Sequence, residues 1–336
     1  MINFIKDFLN FYKFKKNEKF FRAIFFNENE FTYSYLKEHI KLRKSPNKIA
    51  IISFEIIPEK NSIKTFFFKT NFFRKLFFLT LRINFIYSTT PDLNNSIFLK
   101  SVISKNKYIY LQHSPISLSM IYREKAFINF DMIQAVNKPQ MNDILDINKI
   151  HKKKIKILKS KYLFLENKKK IKASKNIIDV LIAPTWNTDF YKLNLHKILK
   201  KILLSSNKSF ELRPHPMSFK NKEITLDDLN KDEIIVNTDK DLNYNNYHFL
   251  ITDWSGIYVE FALIKNTIPI LIDTKKKVLN QNYINFSNAP LEITSRNILG
   301  HQIKIEEVNN ILNILDKNAK EDPTNIINNF YNKNFF

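Results

Sequence analysis

The chain of 336 residues has no cysteine, only two glycines and only seven histidines. Without cysteine, disulfides and every site that needs a thiolate are excluded, and few imidazoles are present to act as bases or ligands. The two glycines, Gly256 and Gly300, are informative because they are so rare. Glycine is favoured where the backbone needs a positive φ or a close approach to another group.

The sequence also lacks a long apolar run free of charge. A spanning helix needs about 20 apolar residues, and the nearest candidate, 66–87, is interrupted by Lys69, Arg74, Lys75 and Arg82. That segment predicts an amphipathic helix followed by a strand. The N-terminus shows no secretory signal pattern. We therefore expect a cytoplasmic protein, with peripheral binding at the inner face of the cell membrane as the alternative.

Acidic residues are too few to balance the basic ones. Lys and Arg number 54 against 32 Asp and Glu, which gives a formal charge of +22. Such a field attracts nucleic acid, an anionic membrane surface or a nucleotide-linked substrate. The lysine runs lack base-reading motifs, which favours a solvated face over a nucleic-acid site. We therefore expect no nucleic-acid partner.

The first 47 residues predict a basic amphipathic helical segment. Apolar residues recur there with the spacing of one helical stripe; they are Phe4, Ile5, Phe8, Leu9, Phe11 and Tyr12. A basic, aromatic helix can lie on an anionic bilayer. The pattern favours a helix that packs against the domain that follows, and membrane contact stays open as the alternative.

From residue 48 onward, short apolar runs alternate with longer helical or polar segments, which predicts parallel strands joined by crossover helices. The runs are 49–54, 83–87, 108–111, 132–136, 178–183, 210–212, 234–236, 248–252 and 268–272, with helices expected over 189–204 and 255–265. The chain length suits two domains of about 150 residues each. We expect an α/β fold of two facing, Rossmann-like, doubly wound domains, 48–147 and 177–330, joined by a lysine-rich connection, 148–176.

Four predicted strands end in polar residues that a core does not require. They are 112–115 (Gln-His-Ser-Pro), 184–187 (Pro-Thr-Trp-Asn), 213–216 (Arg-Pro-His-Pro) and 252–256 (Thr-Asp-Trp-Ser-Gly). In open parallel sheets, ligands bind beyond the carboxyl ends of the strands. These four ends are therefore the candidate site.

The end at 252–256 has the pattern of an anion site. Gly256 and Ser255 open a predicted helix whose free N–H groups and dipole suit a phosphate. Ser255 can cap this helix or bond a phosphate oxygen, and Asp253 can cap the turn or hold a hydroxyl. The interpretation that both residues only cap the helix fits the pattern as well.

The end at 213–216 is harder to explain as structure alone. Two prolines flank His215 and restrict the backbone, so the imidazole projects in one direction. Arg213 supplies a planar fork that suits phosphate. The pattern favours a cation pair facing a diphosphate over a surface turn. His215 would be protonated, or would donate a hydrogen bond, as a leaving group gains charge.

In order and spacing, segments 183–186, 213–216 and 251–263 resemble the CDP-glycerol glycerophosphotransferase family of teichoic-acid and capsule synthesis. The resemblance is good over 180–275 and weaker before it. It implies a GT-B fold, with 48–147 on the acceptor side and 177–330 binding the donor nucleotide. It also implies transfer of glycerol phosphate or a similar polyol phosphate from a CDP-activated donor to a glycan or lipid-linked acceptor, without a metal or another cofactor.

The resemblance also implies roles for individual residues. His113 is similar to the histidine of the family's Gln-x-x-His-Gly segment, the proposed base on the acceptor hydroxyl; here the spacing is shorter and Ser114 replaces the glycine. Thr185 would bond a phosphate oxygen or the nucleotide. Glu260 would bond the ribose, with an exposed helix carboxylate as the alternative. Asn187 stands where the family usually has an arginine, which leaves the transferred group open.

Two other functions fit the sequence. One is a GT-B glycosyltransferase that uses a nucleotide sugar in lipopolysaccharide or capsule synthesis. The other, of a different class, is a membrane-binding or nucleic-acid-binding protein driven by charge. The second leaves the polar strand ends without a purpose.

Overall fold

The computed structural model describes residues 1–57, 63–174, 177–239 and 241–336, with the side chains of Glu30 and Phe31 left aside. The chain separates into two units. The first comprises 1–113, 122–164 and 336, and the second comprises 114–121 and 165–335. Residues 175–176 of the predicted connection lie outside the described residues.

The first unit is built on a parallel sheet of seven strands in the order β3-β2-β1-β4-β5-β6-β7. The strands are β1 Ala23–Asn27, β2 Ile49–Ser53, β3 Lys64–Phe67, β4 Phe85–Ser88, β5 Lys107–Tyr110, β6 Met132–Ala135 and β7 Lys156–Lys159. The accompanying helices are α1 Ile2–Asn17, α2 Glu30–Lys41, α3 Asn71–Leu79 and α4 Lys138–Ile150. Every residue of β1 and β2 is buried, as expected for strands of a parallel sheet covered on both faces.

The second unit is built on a parallel sheet of five strands in the order β12-β11-β10-β8-β9. The strands are β8 Ile178–Ile182, β9 Phe210–Leu212, β10 Tyr247–Thr252, β11 Ile270–Ile272 and β12 His301–Ile303. Helix α5, Leu163–Lys168, leads into this unit. Its remaining helices are α6 Leu195–Leu204, α7 Pro216–Lys220, α8 Leu226–Lys231, α9 Ile257–Lys265, α10 Leu291–Thr294, α11 Arg296–Leu299, α12 Ile311–Asn318 and α13 Thr324–Asn334.

The two parallel, doubly wound sheets confirm the predicted fold class, but four strands were not predicted. Three of them, β3, β7 and β12, are edge strands whose lysine, threonine, histidine or glutamine residues interrupt any apolar run. The fourth, β1, lies inside the segment 1–47 that was predicted to be helical. The run 234–236 was predicted as a strand and forms only an isolated bridge, between Leu212 and Val236.

The units also divide the chain differently from the predicted domains. Segment 1–47 belongs to the first sheet through β1, and β7 lies within the predicted connection 148–176. Segment 114–121 follows a first-unit strand but belongs to the second unit. There it is held by hydrogen bonds from Ser117 to Glu292 and from Asn280 to the Ser119 carbonyl, at 2.7 and 2.8 Å.

Helix α1 is held in place by a buried carboxylate and a buried ring. Asp7 accepts hydrogen bonds from the backbone N–H groups of Lys69 and Thr70, at 3.0 and 2.7 Å. It therefore caps α3, whose N-cap residue Thr70 makes no side-chain cap bond of its own. Phe14 is fully buried and meets the Phe77 ring edge-on at 4.7 Å. No described helix combines the length and apolar character needed to cross a bilayer.

The rare glycines give a test of packing in the second unit. A Cβ at Gly300 would lie 2.0 Å from Leu271 Cδ1, whereas one at Gly256 would lie 2.9 Å from the flexible ends of Ile116 and Ser114. We expect Gly300→Ala to lower the free energy of unfolding by ~1–3 kcal/mol and Gly256→Ala to lower it less. Tryptophan fluorescence during urea unfolding measures this selectively, because both tryptophans, Trp186 and Trp254, belong to the second unit. Equal losses in the two variants would contradict this packing.

Candidate functional site

The topology of the second sheet marks one edge as a binding site. Its strand order reverses between β8 and β10, and ligands of doubly wound sheets bind at such a switch point, beyond the carboxyl ends of the strands. Ile182 of β8 pairs with Ile251 of β10, which pairs with Ile270 of β11. The residues that follow these strands therefore leave the sheet along the same edge.

Asp253, which follows β10, is the centre of this edge. Its carboxylate is fully buried and accepts hydrogen bonds from the Thr185 N–H and the Thr188 hydroxyl, both at 2.8 Å. A longer contact of 3.5 Å joins it to the hydroxyl of Thr274, after β11. Burial raises the pKa of Asp253 to about 6, against the opposing effects of the bonds from Thr185 and Thr188 and the charge of Lys277. Asp253 therefore ties three strand ends together instead of capping one turn.

Lys277, after β11, places a buried cation at the same edge. Its Nζ donates to Thr185 Oγ1 at 3.2 Å and lies 4.4 Å from the centroid of the Trp186 ring. Burial lowers the pKa of Lys277 to about 8, although Asp253, Glu292 and Glu223 oppose the shift. The amine is therefore mostly charged at neutral pH. Sequence reasoning missed this residue, although it follows the predicted strand 268–272 and the carboxyl-end rule points to it.

Arg296 stabilises the turn that follows β10. Its buried guanidinium donates from Nη1 to the Asp253 carbonyl at 2.7 Å and lies 4.0 Å from the Trp254 ring centroid. The Trp254 indole N–H donates to the Thr274 carbonyl at 2.9 Å. The arginine is thus a structural cation, and no sequence motif marked it.

Ser255 and Gly256 begin α9 as predicted, but in a different way. Gly256 is the N-cap residue with φ −63°, so the chain does not use it for a positive φ. It is small because Ser114 and Ile116, of the same unit, approach it closely. The Ser255 hydroxyl accepts from the Ile257 N–H only at 3.5 Å, which is a weak cap. The hydroxyl can therefore form a stronger hydrogen bond with a ligand.

Arg213 and His215 follow β9 and are both half-buried. Arg213 Nη1 donates to Asn237 Oδ1 at 2.8 Å. His215 caps α7, since its Nδ1 accepts from the Met217 N–H at 3.1 Å. That bond needs the Nδ1 lone pair, so the ring proton is on Nε2. Of the two predicted forms of His215, the structure favours the neutral donor over the imidazolium.

Asn187 has a backbone reason for its identity. Its φ is 61°, in the left-handed region that asparagine tolerates better than most residues. Its N–H donates to Glu223 Oε1 at 2.8 Å. Thr185, two residues earlier, is buried between Asp253 and Lys277 and is thereby part of the edge.

Glu260 bonds a residue at the amino end of β10, whereas Thr185 and Asp253 follow the carboxyl ends of strands. Its carboxylate is buried and accepts a hydrogen bond from the Tyr244 hydroxyl. Tyr244 leads into β10, whereas Asp253 follows it. The structure therefore attaches Glu260 to a residue at the amino end of the strand, and it is not the exposed carboxylate that the sequence left as an alternative.

His113 belongs to the first unit and follows β5 there. Its Nδ1 lies 3.1 Å from the hydroxyl of Tyr110, and its Nε2 lies 3.3 Å from that of Tyr122. Burial raises the pKa of Tyr110 well above its usual value, so this phenol stays protonated. One phenol can donate to the ring while the other accepts from it, which fixes the ring orientation. Neither tyrosine was identified from the sequence.

Within the described ranges, no group of three or more histidine, aspartate or glutamate residues is arranged to hold a metal ion. The charge available at the edge of the second sheet instead comes from side-chain cations, of which Lys277 and Arg213 are two.

At the level of sequence, no protein-family model and no curated protein matches the chain. Among solved structures, it is similar to the wall teichoic acid polymerase TagF, with a TM-score of 0.57 and 13% identity over 99% of this chain and 93% of that one. A TagF variant soaked with CDPG for 15 minutes gives a TM-score of 0.56 at 13% identity, over 98% of this chain and 92% of the other. Identity this low shows the fold alone, and the chain therefore has the GT-B-like α/β fold that the sequence predicted.

Proposed function

We propose that this chain is a transferase that moves a polyol phosphate, glycerol phosphate or a similar group, from a CDP-activated donor to a hydroxyl of a cell-surface polymer or lipid-linked acceptor. The observation that carries the proposal is the edge of the second sheet, where the buried cation Lys277 lies on Thr185 next to Asp253. A buried ammonium at a sheet's switch point is suited to a diphosphate.

Four groups of the second unit would hold the donor diphosphate. Lys277 and Arg213 supply positive charge, and the Nε2–H of His215 supplies a neutral donor. The fourth is the start of α9, where Ser255 and Gly256 precede a helix of nine residues. Its N-terminal N–H groups and dipole favour an anion.

The reaction would be a direct displacement at the β-phosphorus of the donor. The acceptor oxygen forms a bond to this phosphorus while the bond from phosphorus to the bridging oxygen breaks, and CMP leaves with that oxygen. His113 takes the proton of the acceptor hydroxyl, which would first replace the tyrosine hydroxyl that donates to the ring. Lys277, Arg213 and His215 stabilise the negative charge that moves to CMP, which is the task that a metal ion performs in many phosphoryl transfers.

The donor assignment rests on two supports. The segments 183–186, 213–216 and 251–263 keep the order and spacing of the glycerophosphotransferase pattern. TagF, which shares the fold, has been soaked with CDPG. The same likeness supports the acceptor class, and the polyol is left open because Asn187 stands where the family usually has an arginine.

The first experiment identifies the donor. Purified protein is incubated with CDP-glycerol, CDP-ribitol and UDP-sugars, each with and without EDTA, and the released nucleotide is separated by chromatography. We expect CMP from a CDP-polyol at equal rates with and without chelator. Release of UDP from a UDP-sugar would overturn the proposal in favour of glycosyl transfer, and strict dependence on a divalent ion would overturn the role given to the cations.

Lys277 gives a pH-dependent prediction. Its pKa of about 8 implies that the free enzyme loses this charge as pH rises above 8, so kcat/KM for the donor should fall there. Lys277→Met should lower kcat/KM by ~10²–10³ and abolish this alkaline limb. Lys275→Met is the matched control, because that side chain is exposed. An unchanged pH profile in Lys277→Met would show that the lysine is only structural.

His113 gives a prediction for the acceptor step. We expect His113→Gln to lower kcat for transfer by ~10²–10⁴, with an unchanged Kd for the donor by calorimetry, because the donor groups belong to the second unit. The control is His248→Gln, at an exposed position of β10. Full activity in His113→Gln would require another base.

A further inference from the structure

Helix α1 presents apolar side chains on two sides, and only one of them is used in the fold. Phe11 and Phe14 point towards α3, where Phe14 is buried against Phe77. On the other side, Ile2, Ile5, Leu9 and Tyr12 have the spacing of a helical stripe and are 70%, 52%, 48% and 60% exposed. The inner side is sufficient to attach the helix to the unit.

The exposed apolar surface continues onto α3. Phe72 is 58% exposed and stacks on Phe4 with 5.8 Å between the ring centroids. Phe8 is 53% exposed, lies one turn after Phe4 on α1, and has its ring centroid 6.3 Å from that of Phe73. We define the α1 surface by Ile2, Ile5, Phe8, Leu9, Tyr12 and Phe72. Contiguous exposed apolar surface of this kind marks an interaction site more often than scattered single residues do.

The charge around the α1 surface is positive. Lys6 and Lys13 are exposed along one side of the stripe. Lys75 is exposed on α3, and Lys69 is exposed just before this helix. The two acidic residues among residues 1–20 are both engaged. Asp7 is buried as the cap of α3, and Glu18 pairs with Lys15 at 3.0 Å. The lysines at the edge of the surface are therefore not neutralised by carboxylates of this helix.

We propose that the α1 surface binds an anionic lipid bilayer, with α1 lying in the plane of the membrane interface. A helix with apolar and lysine-bearing sides binds there by burying its apolar residues at the acyl boundary while the lysines meet anionic headgroups. The net charge of +22 adds attraction to such a surface. Helix α1 has 16 residues, fewer than a span needs, so it lies on the bilayer.

Charge also argues against a second copy of the chain as the occupant. In a two-fold symmetric contact the same patch faces itself, so Lys6 and Lys13 of one copy would approach the lysines of the other. Like charges brought together in this way disfavour association. A bilayer that carries negative headgroups complements the same lysines. The proposal does not depend on which donor the second unit binds.

The test replaces only the outward side chains, since deleting α1 would uncover Phe73 and Phe77. The triple variant Ile2→Gln, Ile5→Gln, Leu9→Gln keeps the charge and the helix propensity. The matched control is Val102→Gln, Ile235→Gln, Ile284→Gln, at positions that are 75%, 66% and 74% exposed elsewhere. Flotation with phosphatidylglycerol-containing and pure phosphatidylcholine vesicles measures binding, and circular dichroism checks folding.

We expect the unmodified chain and the control to bind the anionic vesicles, more weakly at high salt, and not to bind the neutral vesicles. The triple variant should bind at least about tenfold more weakly and release CMP from a soluble donor at the normal rate, which separates this proposal from the proposed function. A second variant, Lys6→Gln with Lys13→Gln, should also weaken binding to the anionic vesicles. It tests the proposal even if the triple variant misfolds. Three results would overturn the proposal: equal binding by the triple variant and the control, binding to neutral vesicles alone, or a dimer that the triple variant abolishes.

Discussion

The buried carboxylate of Asp253 is the constraint on which the site depends. It accepts hydrogen bonds from residues after β8 and approaches the hydroxyl of Thr274 after β11, so three strand ends share one acceptor. The same carboxylate offsets the charge of Lys277, which would otherwise be a costly cation in a buried place. Glu292 and Glu223 offset the same charge. Asp253 and Lys277 are also linked through Thr185, whose N–H donates to the carboxylate and whose hydroxyl accepts from the ammonium.

The buried charges of Asp253 and Lys277 lower the stability of the folded state at neutral pH. The pKa of Asp253 is raised to about 6, so the folded state disfavours its ionised form, and stability falls as pH rises through 6. The pKa of Lys277 is lowered to about 8, so the folded state disfavours its charged form at every pH below that value. Between pH 6 and 8 both groups are charged and both costs apply. A purely structural core would use apolar residues here, which is a reason to assign the cluster to ligand binding.

Burial determined how much of the molecule could be predicted from sequence. Strands β2 and β10 each lie inside a parallel sheet and are largely apolar. Their apolar runs therefore predicted both strands from the sequence. The edge strands β3, β7 and β12 carry polar residues, and no local pattern distinguishes them from loops. The candidate residues Thr185 and Asp253 were predicted from strand ends. The hydrogen bond between them joins positions that only the folded chain brings together. The same holds for the contact of His113 with Tyr122, and the role of Tyr110 beside the ring was not visible in the sequence either.

Asp7 has a consequence for how the first unit assembles. The N–H groups of Lys69 and Thr70 at the start of α3 find their acceptor on a helix more than 60 residues earlier in the sequence. Helix α3 therefore lacks a complete N-terminus until α1 has docked, and the two helices should open and close as one cooperative unit in amide hydrogen exchange. A ligand that immobilises α1 would then also slow exchange at the first turn of α3, because Asp7 joins the two helices.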